Sequence, residues 1–524
     1  MLMCEIYSKA DQTLVWLGDF PGQSSAFDFV EDILEAYESV LEKDTPVVVK
    51  DGSSLSRLLD MLEEPLPEHD LSARHAYQAR LMELFISTEV FNMPIQQTTG
   101  ALARLIYTAD GMRKFRAFTS LQDCQYWQRS WVWQEMTLSM EPILVCGSKR
   151  TPLADYISAF RILSACFNSK DFPRLKAEIP DELRISQSQM WVDQKPMVLH
   201  MIREVWWNSS LTLRQVLTFS RQLESTDPRD KIYGMLSMVS EAYYITPDYR
   251  ASMTPNRLFL LATIRSILVD GDLDILSDGQ ETNRLSTSQH DLPSWVPDFS
   301  VVNHRKPLIP AIPPEKEKLS MFRATSNTRP HASFASNKLG LPTVLRLTGI
   351  FLGNPFHAKD LGAVSGKGAI QKWIDFLIQH RPDATEVCLP KSPDESVMQS
   401  CFRSAMFGME LYEFAPFIGQ DATLDTNFVR QSVVVDMVGK NMAQLEELPE
   451  WRFFFMGADD IMGMVPAKTA PSHRIVFFLG SKVPHVVRPS AAGYELVGPC
   501  YVHGYMHGHI LDEQKVVRQE FDIY

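Results

Sequence analysis

Apolar and polar positions along the chain first fall into a short helix, a strand and a longer helix. Ile6 and Ala10 read as the end of a helix, and the apolar run Thr13-Leu14-Val15-Trp16-Leu17, closed by Gly18-Asp19, reads as a strand ending in a turn. After Ser25, the residues Phe29, Val30, Ile33, Leu34, Tyr37 and Leu41 recur at spacings of three and four, which predicts one buried face of an amphipathic helix. Helix-like spacing around Trp131 to Met136 then gives way to the apolar strand Pro142-Ile143-Leu144-Val145, ended by Gly147. This alternation predicts α/β packing.

Further along, Asp227-Pro228-Arg229-Asp230 combines an N-cap acid with proline at the first helical position, so a helix is expected through Ile232, Leu236 and Val239. Thr254-Pro255 repeats the device before a helix whose Leu258, Leu261, Ile264, Ile267 and Leu268 predict its packed face. Between 301 and 341 five prolines and many polar residues predict an irregular linker. Beyond it, Thr343 to Gly349, Arg474 to Leu479, Val483 to Arg488 and Tyr494 to Val497 read as short strands, with a helical insertion at Ile370 to Ile378. The acidic, proline-punctuated stretch from Glu42 to Ser72 reads as a surface excursion.

The expected organisation is an α/β domain over 1–150, a mainly helical extension over 151–300, the linker over 301–341 and an α+β module with a β-rich end over 342–524. At 524 residues the chain is long enough for two or three cores, and 45% hydrophobic residues can fill them. The formal net charge of -13 argues against nucleic acid and anionic membranes as partners. Seven scattered cysteines without a C-x-x-C pair argue against a disulfide framework or zinc knuckle and for a reducing compartment, so a cytoplasmic location is expected. No apolar window is long enough for a membrane span, and the N-terminus lacks a secretory signal pattern.

Four ordered segments resemble the heterokaryon-incompatibility (HET) domain family of fungi. They are Glu5 to Ala10 with Val15-Trp16-Leu17-Gly18; Arg129-Ser130-Trp131-Val132-Trp133-Gln134-Glu135, similar to its R-x-W-x-x-Q-E block; Asp227 to Gly234 with Pro247-Asp248-Tyr249; and Leu292-Pro293-Ser294-Trp295-Val296-Pro297-Asp298. The tail segments Gly493 to Gly498 and Cys500 to Gly504 resemble the C-terminal module of such proteins. Family members open with A-L-S-Y-x-W-G and W-I-D-x-x-C-I-N-Q. Here the first residues already match the following helix, so the resemblance implies an N-terminally truncated, incomplete TIR-like domain.

The family's function, as the resemblance implies it, is vegetative incompatibility: self/non-self recognition that ends in programmed cell death, through protein partners. Its second block also resembles the W-x-x-x-E helix whose glutamate serves NAD cleavage in enzymatic TIR domains. That likeness makes Glu135 the candidate catalytic carboxylate and Trp131 and Arg129 candidate NAD-binding residues, with NAD a substrate and no prosthetic group. Trp131 and Glu135, four apart, share one helix face, and a carboxylate beside the ribose can stabilise the cation-like sugar left when the nicotinamide bond breaks.

The competing reading makes Trp131 and Trp133 core residues at a helix start and bonds Glu135 to Arg129 or to backbone. Asp227 and Asp230 are expected to act as helix caps, and Asp298 as a turn acid. His503, His507, His509 and Cys500 offer no paired ligand set at zinc-finger spacing, so no metal is expected. Phosphate-binding glycine loops and the G-x-S-x-G elbow are missing. The alternatives to a cell-death enzyme are a non-catalytic, degenerate interaction protein and an accessory protein of a fungal gene cluster.

Overall fold

The computed structural model describes residues 2–18, 24–43, 98–122 (less 103, 104 and 107), 124–167, 211–279, 292–301, 322–336, 342–352, 451–456, 461–512 and 517–524, with isolated positions and short pieces between them. The expected excursion after Glu42, apart from its first residues, and the expected helix at Ile370 to Ile378 lie outside them. By contacts the chain forms two compact units. The first comprises residues 1–211, 223–226 and 234–240, and the second 212–222, 227–233 and 241–524.

The first unit is built on a three-stranded sheet in the order β1 (Thr13–Gly18), β2 (Pro142–Cys146), β3 (Lys149–Pro152). The β1 and β2 strands are parallel, with Val15 opposite Leu144, and β2 turns back into β3 through Gly147, whose φ of 57° suits a residue without Cβ. Helix α1 (Leu2–Lys9) precedes the sheet, and α2 (Ser25–Lys43) follows β1. The expected stripe on α2 is real: Phe29, Val30, Ile33 and Tyr37 are buried. Phe29 meets Phe115 and Phe118 of α3 (Ala109–Gln122) edge-on at 5.8 Å, and Phe118 in turn meets Tyr156 and Phe160 of a later helix. Between α3 and β2 stands α4 (Val132–Leu138), and α5 (Leu153–Phe167) carries Tyr156 and Phe160.

In the second unit α6 (Leu213–Ser220) starts with a complete capping box, in which Thr212 and Gln215 satisfy each other's backbone N–H groups. The helix expected from Asp227 to Val239 does not form as one piece: α7 covers only Asp230–Tyr233, a 3-10 turn follows at Leu236–Met238, and Gly234 separates them. Asp227 does cap the start, since its Oδ1 accepts the Arg229 backbone N–H at 3.0 Å.

Helix α8 (Pro255–Asp270) has the expected Thr254 cap and ends on Gly271 in the left-handed region, φ 68°. Its buried face differs from the expected one. Phe259, Ala262, Thr263 and Ser266 are buried beside Leu258 and Ile267, whereas Leu268 is exposed. Small side chains form much of the packed face, a pattern that a search for bulky apolar residues overlooks.

The C-terminal strands close into a ring. Strands β5 (Pro342–Phe351), β10 (Arg474–Phe478), β11 (His485–Pro489), β12 (Tyr494–Pro499) and β14 (Arg518–Ile523) pair in that circular order, with β14 returning to β5. The seam between β12 and β14 is a single parallel pair, Tyr494 with Ile523. The segment expected to be a structureless linker contributes β4 (Ala332–Ser336), paired with β5 from Ala332↔Leu347 onward, because its alternating Ala, Ser and Phe can follow a strand once the prolines have passed. A hairpin of β6 (Cys388–Leu389) and β7 (Ser392–Ser396) stands apart. Strands β8 (Trp451–Met456), β9 (Ile461–Pro466) and β13 (Tyr501–Val502) form a second sheet whose Phe454, Val465 and Val502 share one core with Ile350, Phe477 and Val497 of the ring.

Candidate functional site

Glu135 lies on α4, half-buried, between the buried neighbours Gln134 and Met136. Two phenols lie near its carboxylate. Tyr126, from the 3-10 turn Gln125–Gln128 just ahead of α4, donates its hydroxyl to Oε2 at 2.8 Å. Tyr7, from α1, lies near enough for the Glu135 charge to act on its phenol. Burial pushes the Tyr7 phenol up to about 12 and raises Tyr126 further, and in both the Glu135 charge adds to the shift while Arg129 opposes it. Neither phenol ionises in the physiological range, so each remains an O–H donor.

The backbone around the site is fixed by its surroundings. The hydroxyl of Ser130 donates to the Glu224 carbonyl at 2.9 Å, the Ser130 N–H donates to the same oxygen at 3.1 Å, and the Glu224 N–H donates to the Gln128 carbonyl. The backbones of Arg129 and Glu224 pair through an isolated parallel β-bridge, and the Arg129 side chain is exposed. On the other side of α4, the guanidinium of Arg203 caps the helix end, donating to the carbonyls of Met136, Thr137, Ser139 and Met140.

The sequence-derived candidates are thus partly gathered. Glu135 and Arg129 belong to one electrostatic cluster. Trp131 is half-buried at the N-cap of α4, its carbonyl accepting the Gln134 and Glu135 N–H groups, and Trp133 is a core residue. The side-chain hydrogen bond of Glu135 is to Tyr126, where the competing reading had Arg129 or backbone. Tyr7 and Tyr126 were missed as site residues. Tyr126 precedes Glu135 by nine positions across a break in the helix, and Tyr7 lies beyond any periodicity. The one available signal was that Tyr7 lies within the first of the four blocks.

The third and fourth blocks are structural. Arg229 holds the Asp227 carboxylate with Nε and Nη2, at 2.7 Å for the latter, and lies over the Tyr249 ring at 5.1 Å. The Asp227 carboxyl is lowered by that contact. Tyr249 donates to Asp230 at 2.6 Å, and Tyr233 donates to the Asp248 carbonyl at 3.0 Å, so D-P-R-D-K-I-Y and P-D-Y fasten each other. In the fourth block Ser294 donates its N–H to the Tyr524 carbonyl and accepts the Leu496 N–H, while Trp295 donates to the Thr343 carbonyl, which staples the block to the barrel wall. Asp298 makes the expected turn, accepting from Ser300.

Tyr501 and His503 are hydrogen-bonded at 3.0 Å, and Cys500 is buried with its thiol raised well above the ordinary range by desolvation. Among the described residues, no group of three or more His, Cys, Asp or Glu side chains is placed to hold a metal ion, and no helix is long and apolar enough to cross a membrane.

Comparison with known proteins bears on the whole chain. Residues 435–523 match the Het-6 beta-barrel domain family, which covers strands β8 to β14. Heterokaryon incompatibility protein 6, OR allele, of Neurospora crassa is 24% identical over 587 aligned residues, spanning 99% of this chain and 79% of that protein. The chain is thus similar to a heterokaryon-incompatibility protein along almost its whole length, and its C-terminal end matches the Het-6 beta-barrel domain. No solved structure matches it. In this chain the barrel takes one more strand than the matched segment holds, since β5 lies upstream of residue 435 and still pairs with both β10 and β14.

Proposed function

We propose that this chain is a HET-type cell-death effector of fungal incompatibility that cleaves NAD, with Glu135 as the catalytic carboxylate. The observation that carries this reading is the convergence of Tyr7, Tyr126 and the charge of Arg129 on one partly accessible carboxylate. An oriented anion of this kind suits a reaction whose transition state carries positive charge on a sugar, and Arg129 is an exposed donor able to meet a phosphate. Expression of the full chain in fungal cells tests it. The intact protein should deplete cellular NAD and lower viability, and Glu135→Gln should do neither; equal toxicity of the two without NAD loss would refute it.

The non-catalytic interaction reading is favoured by a different observation. Leu14 and Trp16 are 57% and 54% exposed on β1, an edge strand among the described residues. Edge strands carrying large apolar side chains invite protein partners. Leu14→Ser with Trp16→Ser would then abolish incompatibility while Glu135→Gln leaves it intact.

A further inference from the structure

Cys500, His503, His507 and His509 stand close together in the sequence, and the fold divides them. Cys500 and His503 are buried, and His503 is bonded to Tyr501. His507 and His509 are exposed on the turn that leaves β13. Arg323, also exposed, is brought beside them: its backbone N–H donates to the Met506 carbonyl at 2.8 Å, and the adjoining Phe322 ring lies 6.1 Å from the His507 ring. We propose that Arg323, His507 and His509 form a binding site, separate from Glu135, for the phosphate group of a small soluble phosphomonoester.

The two turns that carry these side chains are fixed by bonds in which the side chains take no part. Ala324 donates its N–H to the Lys482 carbonyl at 3.0 Å, the Thr325 hydroxyl donates to the Ser481 carbonyl at 2.9 Å, and the Ser326 N–H closes the turn on the Arg323 carbonyl at 2.7 Å. Against this turn lies Gly508, with φ of +92°, where a Cβ would stand 3.2 Å from that of Ser326. The donors are therefore held near one another before any ligand arrives, which lowers the ordering cost of binding.

Charge selects the ligand. Burial lowers the His507 imidazole below its ordinary value, and the positive charges of His509 and Arg323 lower it further, so like charges crowd this corner. An anion set among them replaces repulsion with attraction. A guanidinium beside two imidazoles opposes a metal cation, and its planar donors suit phosphate oxygens. The chain's net charge of -13 opposes extended polyanions such as nucleic acid or an anionic bilayer, and a small ester feels least of that field. The half-buried Phe322 ring next to His507 gives the carbon part of an ester an apolar surface.

The test uses the full chain, with inorganic phosphate and adenosine monophosphate as probes, and the variants Arg323→Gln, His507→Gln and His509→Gln, each checked by thermal melting for folding. The ring signals of His507 and His509 in a 1H–15N spectrum, assigned by their loss in the two histidine variants, should move saturably with either probe. Three charge-assisted contacts at an open surface correspond to a Kd of about 1 mM, and each variant should weaken binding about tenfold. Adenosine monophosphate should bind at least as tightly as inorganic phosphate, and adenosine should leave both signals in place. Signals that fail to saturate, or an equal Kd in wild type and Arg323→Gln, overturn the site; if Arg323→Gln does not fold, an equal Kd in the two histidine variants does so. Movement with adenosine overturns phosphate recognition. Binding to phosphatidylserine vesicles without binding of adenosine monophosphate overturns the small-ester class in favour of a membrane surface.

Discussion

The hydroxyl of Tyr126 stands 2.8 Å from Oε2 of Glu135, across a break between a 3-10 turn and the helix that follows it. This contact links the only carboxylate of the R-x-W-x-x-Q-E block to an aromatic residue outside the block. Because a hydrogen bond to a charged group contributes roughly 1.5–3 kcal/mol, Tyr126→Phe should destabilise the first unit by an amount of that order. Urea unfolding followed by a probe in that unit measures it, and an unchanged midpoint would show that the contact contributes nothing.

Much of the local structure was legible in the sequence, and the site was legible only in part. The apolar runs at Leu14 to Leu17 and Ile143 to Val145 are strands because each is a short run stopped by a glycine, and α2 is a helix because Phe29, Ile33 and Tyr37 share one face. Glu135 could be singled out because its block resembles the W-x-x-x-E helix of enzymatic TIR domains. Tyr7 could not, since nothing in its own neighbourhood reports a partner on α4. The exposure of Leu268 was not legible because the small residues Ala262, Thr263 and Ser266 are buried, and the Lys231 ammonium of the short α7 is buried on the Ser220 carbonyl.

A second prediction concerns the buried arginines of the other unit. Arg214 donates to both oxygens of Asp278, at 3.0 and 3.2 Å, and both residues are almost fully buried. Arg221 donates to the carbonyls of Asp278, Asp298 and Val301. Removing one partner leaves a buried charge unpaired, which costs roughly 3–5 kcal/mol, so Asp278→Leu should unfold far more readily than wild type. Arg214→Met combined with Asp278→Leu should recover much of the loss. A double variant no more stable than Asp278→Leu would contradict this.

Gly480 provides a third. Its φ is +89°, and a Cβ there would stand 2.4 Å from the backbone nitrogen of Pro330. Both the left-handed conformation and the collision oppose any side chain, so Gly480→Ala should lower the second unit's stability by more than about 2 kcal/mol. A thermal melt within a degree of wild type would count against it.

The barrel should also be acid-sensitive through His485. Its ring is fully buried near Phe478, and desolvation lowers it to about 3 from an ordinary 6.5, with the Val483 backbone opposing the shift. The unfolded chain therefore binds the proton more readily than the folded one. Stability from this residue is fully present above pH 6.5 and falls as the pH drops toward 3, at about 1.4 kcal/mol per pH unit. Asp272, raised to about 6 by burial and by Asp274, acts in the opposite sense, since its share is lost as the pH rises through that value. Comparison of His485→Leu with wild type cancels the Asp272 contribution, and the variant should show the shallower loss between pH 6.5 and 4. Parallel pH curves would refute the assignment.

The most direct test of the account is the release of nicotinamide from NAD by the purified full chain, measured side by side for wild type and Glu135→Gln at equal folded fraction. The account predicts sustained release by wild type and a loss of at least about a hundredfold in the variant, the scale on which removal of a transition-state stabilising group is felt. Equal release by both proteins, or none by wild type, would contradict it.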